Sequence, residues 1–123
     1  MSEYISGACN IGPAEIQRRR QGAVIGAIAF SLTVFLLIAN DAPTTTRLIS
    51  FIPALLFTVG LIQSRRKFCV AYGFLGVFSL EKLGATTKIS INQDLKADRN
   101  YAIKLLLQSV LAAAVLTALV VFI

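Results

Sequence analysis

The sequence predicts an all-α integral membrane protein: three transmembrane helices, with an interfacial apolar segment in the loop between the second and third. Three observations predict it. The chain carries three apolar runs of fifteen to nineteen residues without a charge. Its composition is 56% hydrophobic and only 15% charged, against roughly 45–50% and ~25% in an average soluble domain. Its mean hydropathy is +0.74. A soluble enzyme, a disordered chain and a disulfide scaffold are excluded on these grounds. The 123 residues suit a single membrane domain without an internal repeat.

Residues 1–21 form a polar N-terminal segment that ends in Arg18, Arg19 and Arg20. The first span is placed at 22–40. Its uncharged core, Gly22–Ala39, is about 27 Å long at ~1.5 Å per residue, close to the ~30 Å hydrocarbon layer. A secretory-signal reading fails on length, because such apolar stretches run to about 7–15 residues. The second span is placed at 46–63. Its apolar run, Leu48–Ile62, is short, but Thr46 and Gln63 extend it and Arg47 is able to snorkel outward. Pro53 lies mid-span, where a missing backbone donor predicts a kink. The third span is placed at 103–123.

Orientation follows from the basic residues. Three precede the first span, one (Arg47) lies between the first two spans, and eight fall in residues 64–104. The positive-inside rule puts the eleven in the cytoplasm (3 + 8) and Arg47 outside. The expected location is the bacterial inner (cytoplasmic) membrane, N-terminus cytoplasmic and C-terminus on the outer face. The net charge of +6 is then accounted for by topology and anionic lipid, and nucleic acid is not an expected partner.

The cytoplasmic loop, 64–100, is the unusual part. Residues 68–80 are uncharged, and 68–83 are expected to lie at the interface as an apolar helix; a re-entrant segment is the alternative. Ala85–Asn92 is rich in β-branched residues and reads as extended. Asn92 or Asp94 is the expected cap of a helix that continues through Tyr101 into the third span.

Small residues suit close helix contact in lipid. Gly22, Gly26 and Ala29 mark one face of the first span; Ser109, Ala113 and Thr117 mark one face of the third. Contact within the chain and contact with another subunit both fit. Gln108, the amide well inside a span, is expected to seek a partner across a helix contact. No Asp, Glu, Lys or Arg lies deep in a span, which weighs against ion-coupled transport.

Histidine is absent, so histidine-ligated metals and cofactors and His-dependent nucleophilic catalysis are excluded within the chain. No metal and no cofactor is expected. Cys9 and Cys69 both fall on the cytoplasmic side, where a structural disulfide is disfavoured. They are packing cysteines or, beside the arginines, reactive thiols.

The segment Asn10-Ile11-Gly12-Pro13-Ala14-Glu15, followed by Arg19, is similar to the opening of the YgaP-like inner-membrane proteins. Phe68, Cys69, Tyr72, Leu75 and Gly76 match that family's second-helix tail in register. The resemblance covers about residues 10–78. It implies a two-helix membrane domain, which that family carries alone or behind a rhodanese domain, and Cys69 as the thiol inherited from the motif. The third span has no counterpart, and Val70 stands where the family has proline. Residues 8–16 are expected to pack against residues 68–77 beneath the first two spans, with Asn10 and Gly12 forming a turn and Glu15 facing the arginines.

The function expected on this basis is non-enzymatic: an accessory or structural subunit of a larger membrane complex or homo-oligomer, with the lipid bilayer and other protein chains as partners. The alternatives are a membrane-anchored thiol protein handling persulfide or redox equivalents through Cys69, and an oligomeric channel.

Overall fold

The computed structural model describes residues 4–80 and 85–123. It is 75% helical, with one two-stranded sheet. The elements are α1 (Pro13–Ala39), α2 (Thr44–Arg47), a 3₁₀ turn (Leu48–Ser50), α3 (Phe51–Arg66), α4 (Val70–Leu75), β1 (Val77–Phe78), β2 (Thr87–Lys88) and α5 (Asn92–Phe122). Three stretches are long and apolar enough to cross a membrane: Pro13–Ala39, Thr44–Arg66 and Asn92–Phe122. Helix α1 starts at Pro13, a residue preorganised for the first helical position, well before the apolar run.

Helix α3 lies between α1 and α5 and packs on both. Contact with α1 is close because of two glycines. A Cβ on Gly26 would stand 2.5 Å from the Phe57 nitrogen, and one on Gly60 would stand 2.7 Å from the Ala23 nitrogen. Gly22 meets nothing within 4 Å, so of the Gly22–Gly26 pair only Gly26 works as a helix contact. Ala29 is half-buried on the same helix. Along α5, Ala102, Leu105, Ser109, Ala113, Thr117 and Val120 are buried at steps of three and four, forming one seam. Thr58 donates to the Ser109 carbonyl across it at 3.0 Å. Among the described residues that bond, not one from Gln108, is the cross-helix hydrogen bond at this level. Ser109 and Thr117 donate to the carbonyls of Leu105 and Ala113 four residues back. The small-residue faces therefore serve contacts within the chain.

Pro53 acts earlier than expected. Its ring cannot donate to the Ile49 carbonyl, and the turn holding that carbonyl tightens to 3₁₀ over Leu48–Ser50 while the helix continues. At the same end Arg47 donates to the Ala42 carbonyl (2.9 Å) and to the Val120 carbonyl in the last turn of α5 (3.1 Å). A cation there suits the negative helix end.

The loop departs from the expected single interfacial helix. Helix α4 stops at Leu75 because Gly76 takes a left-handed conformation (φ +73°). The chain then enters β1, which pairs antiparallel with β2, Val77 opposite Lys88 and Phe78 opposite Thr87. Only Thr87–Lys88 of the expected extended stretch joins this ladder. Residues 81–83, the end of the expected interfacial segment, lie outside the described residues. The N-cap of α5 is Ile91, not Asn92 or Asp94, and no side chain caps it. As expected, α5 then runs unbroken through Tyr101. The segment 4–12, α4 and the start of α5 gather at one end of the helices, opposite the Arg47 end.

Candidate functional site

Residues 8–16 and 68–77 pack together at that end. Asn10 and Gly12 do not form a turn. They are extended, and Ile11 makes a parallel bridge to Ser79. The Ser79 N–H donates to the Asn10 carbonyl and the Gly12 N–H donates to the Ser79 carbonyl, both at 2.8 Å. Gly12 lies so close to Leu80 that a Cβ would overlap its carbonyl. The chain here acts as a short third strand laid beside the α4–β1 region, which explains why the backbone needs extended rather than turn geometry.

Asn10 is fully buried and clasps both backbone polar groups of one residue, Cys69, at the α3–α4 corner. Its Oδ1 accepts from the Cys69 N–H at 2.7 Å, and its Nδ2 donates to the Cys69 carbonyl at 3.2 Å. Its own N–H donates to the Lys67 carbonyl at 3.2 Å. Gln63 completes the corner: its Oε1 accepts from the Val70 N–H at 2.8 Å, satisfying an orphan donor at the start of α4. Lys67 adopts the left-handed conformation (φ 55°) that turns the chain out of α3.

Glu15 is 1% exposed. Its Oε2 accepts from the Tyr72 hydroxyl at 2.5 Å and lies 3.4 Å from Arg19 Nη1; its Oε1 lies 3.7 Å from Arg18. The carboxylate thus faces both arginines, as the helical spacing dictates. Arg19 reaches on, with Nη2 2.9 Å from Cys69 Sγ and its guanidinium carbon 5.5 Å from the centre of the Tyr72 ring. Burial and the bond to Glu15 raise the Tyr72 phenol above its ordinary pKa. A buried carboxylate is costly unless paired and bonded. Here Arg19, the Tyr72 phenol and the exposed Arg18 share that role.

Phe68, fully buried, packs with Ala102 and Leu105 and meets the Tyr101 ring edge-on at 4.8 Å. Gly73 and Gly76 let α4 approach this cluster and Leu95. The motif positions Asn10, Gly12, Glu15, Arg19, Phe68, Cys69, Tyr72 and Gly76 are therefore brought together. Cys9 is buried, with Sγ 3.6 Å from the Ile11 carbonyl. Both cysteines are free. Gly26, Ala29, Ser109, Ala113 and Thr117 lie along the long helices, away from the cluster, whereas Gly22 lines a cavity beside Cys69, Arg18 and Arg19. Among the described residues no group of three His, Cys, Asp or Glu side chains is placed to hold a metal.

Sequence reasoning missed a second clasp. Asp98, fully buried on α5, accepts from the Tyr4 hydroxyl and from the Gly7 N–H, both at 2.7 Å. Tyr4 also stacks on Phe78 at 4.7 Å. The only signal was an acidic residue at helical spacing from Asp94; its partners lie more than ninety positions away. Burial and the adjacent Asp98 carboxylate raise the Tyr4 phenol well above its ordinary pKa of 10.0. A folded-state pKa raised in this way contributes stability fully below about pH 10 and loses it as pH rises through the folded value. Alkaline titration above pH 10 is expected to loosen residues 4–9, seen as faster amide exchange at Gly7. Tyr4→Phe should remove that dependence and cost about 0.5–1.5 kcal/mol at neutral pH.

No family model, no curated protein and no solved structure matches the chain.

Proposed function

We propose that this chain is a non-enzymatic accessory or structural subunit of a larger membrane complex or of a homo-oligomer. In this reading it resides in the bacterial inner membrane as a YgaP-like protein, its clustered end in the cytoplasm and its C-terminus on the outer face. One observation supports it above others. Three buried polar side chains of the cluster are bound to other segments of the same chain, Asn10 to residue 69, Glu15 to Tyr72 and Asp98 to residues 4 and 7. Such a network locks a small platform at one membrane face, from which Phe74 and Leu75 project (42% and 72% exposed) as apolar contacts for a partner.

Gentle solubilisation of native membranes, a native gel and mass spectrometry of co-migrating chains test this. Migration with a larger assembly is expected, unchanged by Cys69→Ser. Migration as a single chain of 13.3 kDa would overturn it.

A second reading, a thiol protein acting through Cys69, is favoured by one specific observation: Arg19 Nη2 lies against Sγ, beside a cavity of about 310 Å³ that Cys69, Arg18, Arg19 and Gln63 help to line. Under that reading, the Cys69 thiolate attacks the terminal sulfur of an inorganic polysulfide, an S–S bond of the polysulfide breaks, and a polysulfide one sulfur shorter leaves. The Cys69 persulfide is detectable by mass, and Cys69→Ser abolishes both loading and function while assembly persists.

A further inference from the structure

The crossing of α1 and α3 leaves a second cleft on its other flank, of about 500 Å³. Gly26 and Gly60 draw the two helix backbones together. Ala23 and Ala27 beside them are too small to fill the space toward Phe57, so an apolar trough runs down the flank. Arg20 and Arg65 stand at its mouth. Both are exposed, and neither makes an ion pair among the described residues.

Among the described residues the charge around this mouth is one-sided. Arg18, Arg19 and Arg20, in the second turn of α1, lie near the level of Arg65, Arg66 and Lys67 at the end of α3. Glu15, the acid nearest them along α1, is already engaged by Arg18 and Arg19. A cationic mouth above an apolar trough, where helices leave the hydrocarbon, matches a molecule with an anionic head and an alkyl tail. The volume is within the ~300–1,000 Å³ usual for ligand sites. A second copy of this chain in the same orientation would bring its own arginines to the same level, and like charge disfavours it as the occupant.

We propose that this cleft binds an anionic phospholipid, its phosphate between Arg20 and Arg65 and an acyl chain along Ala27 and Phe57. The proposal is independent of the subunit reading.

The purified full chain in detergent, exchanged against phosphatidylglycerol or phosphatidylcholine and analysed by native mass spectrometry, tests it. Retention of phosphatidylglycerol is expected to exceed that of phosphatidylcholine by roughly 30-fold, the preference two juxtamembrane arginines give. The double variant Arg20→Gln/Arg65→Gln should bring the two lipids toward parity. Lys96→Gln/Arg99→Gln, which removes equal charge elsewhere, should retain the preference. Ala27→Leu narrows the trough without changing charge and should reduce retention on its own, so the test survives poor folding of the arginine variant. Equal retention of both lipids by the native chain would overturn the proposal, as would equal loss in the Lys96/Arg99 control. Displacement of the lipid by inorganic phosphate would also overturn it, marking a site for a free anion.

Discussion

Asn10→Ala is expected to destabilise the protein by about 2–4 kcal/mol, because it leaves the Cys69 N–H and carbonyl without partners in a buried corner, each at about 1–3 kcal/mol. Alanine fills none of the space and replaces neither bond. The loss should appear as a lowered unfolding midpoint in detergent and as faster amide exchange at Cys69 and Ser79, whose bonds register the same segment. Asn10→Asp separates the two halves of the clasp. It keeps an acceptor for the Cys69 N–H but turns an oxygen toward the Cys69 carbonyl. It should recover little of the loss, since a buried carboxylate without a cation is costly in its own right. If Asn10→Ala leaves the midpoint unchanged, the clasp does not hold the corner.

The second large effect is expected at the α1–α3 crossing. Gly26→Leu places a branched side chain where even a Cβ would meet the Phe57 backbone at 2.5 Å. Backbone cannot yield as a side-chain tip does, so the helices must part. Overpacking of this kind costs about 1–3 kcal/mol, and separating the helices adds lost contact along the whole hairpin. Gly22→Leu is the matched control. It adds the same bulk on the same helix in open space and should leave the unfolding midpoint within about 0.5 kcal/mol of the native value. Equal effects of the two variants would show that the close approach at Gly26 is not a packing constraint.

The spans were legible because hydrocarbon thickness sets their length and charge marks their ends. Gly22–Ala39 and Leu105–Ile123 read directly from the sequence, and Pro53 was recognisable as a disturbance. Its consequence was displaced by a turn, since the ring conflicts with the carbonyl four residues earlier. The meeting of residues 8–16 with 68–77 was expected from the motif's resemblance, and Glu15 facing Arg18 and Arg19 follows from helical spacing alone. Much of the remaining platform was not legible. The Asp98 clasp joins residues ninety-one and ninety-four positions apart, and no local pattern encodes such a pairing. The β1–β2 ladder is two residues long on each strand, too short for alternation to announce it. Gln63 reads in the sequence as an extension of the second span; its bond to Val70 is set by where the chain turns at Lys67, whose carbonyl accepts from the Asn10 N–H.

The N-terminal segment locks the Cys69 corner shut, leaving Cys69 only 3% exposed. The rate at which a maleimide labels Cys69 in the detergent-solubilised protein, in a Cys9→Ser background, with and without Asn10→Ala, reads this lock. A locked corner predicts slow labelling of the native sequence and labelling at least tenfold faster once the clasp is removed, an opening equivalent to about 1.4 kcal/mol or more. Rapid labelling of the native sequence, at the rate of an unfolded control, would contradict the account and leave Cys69 as an available thiol.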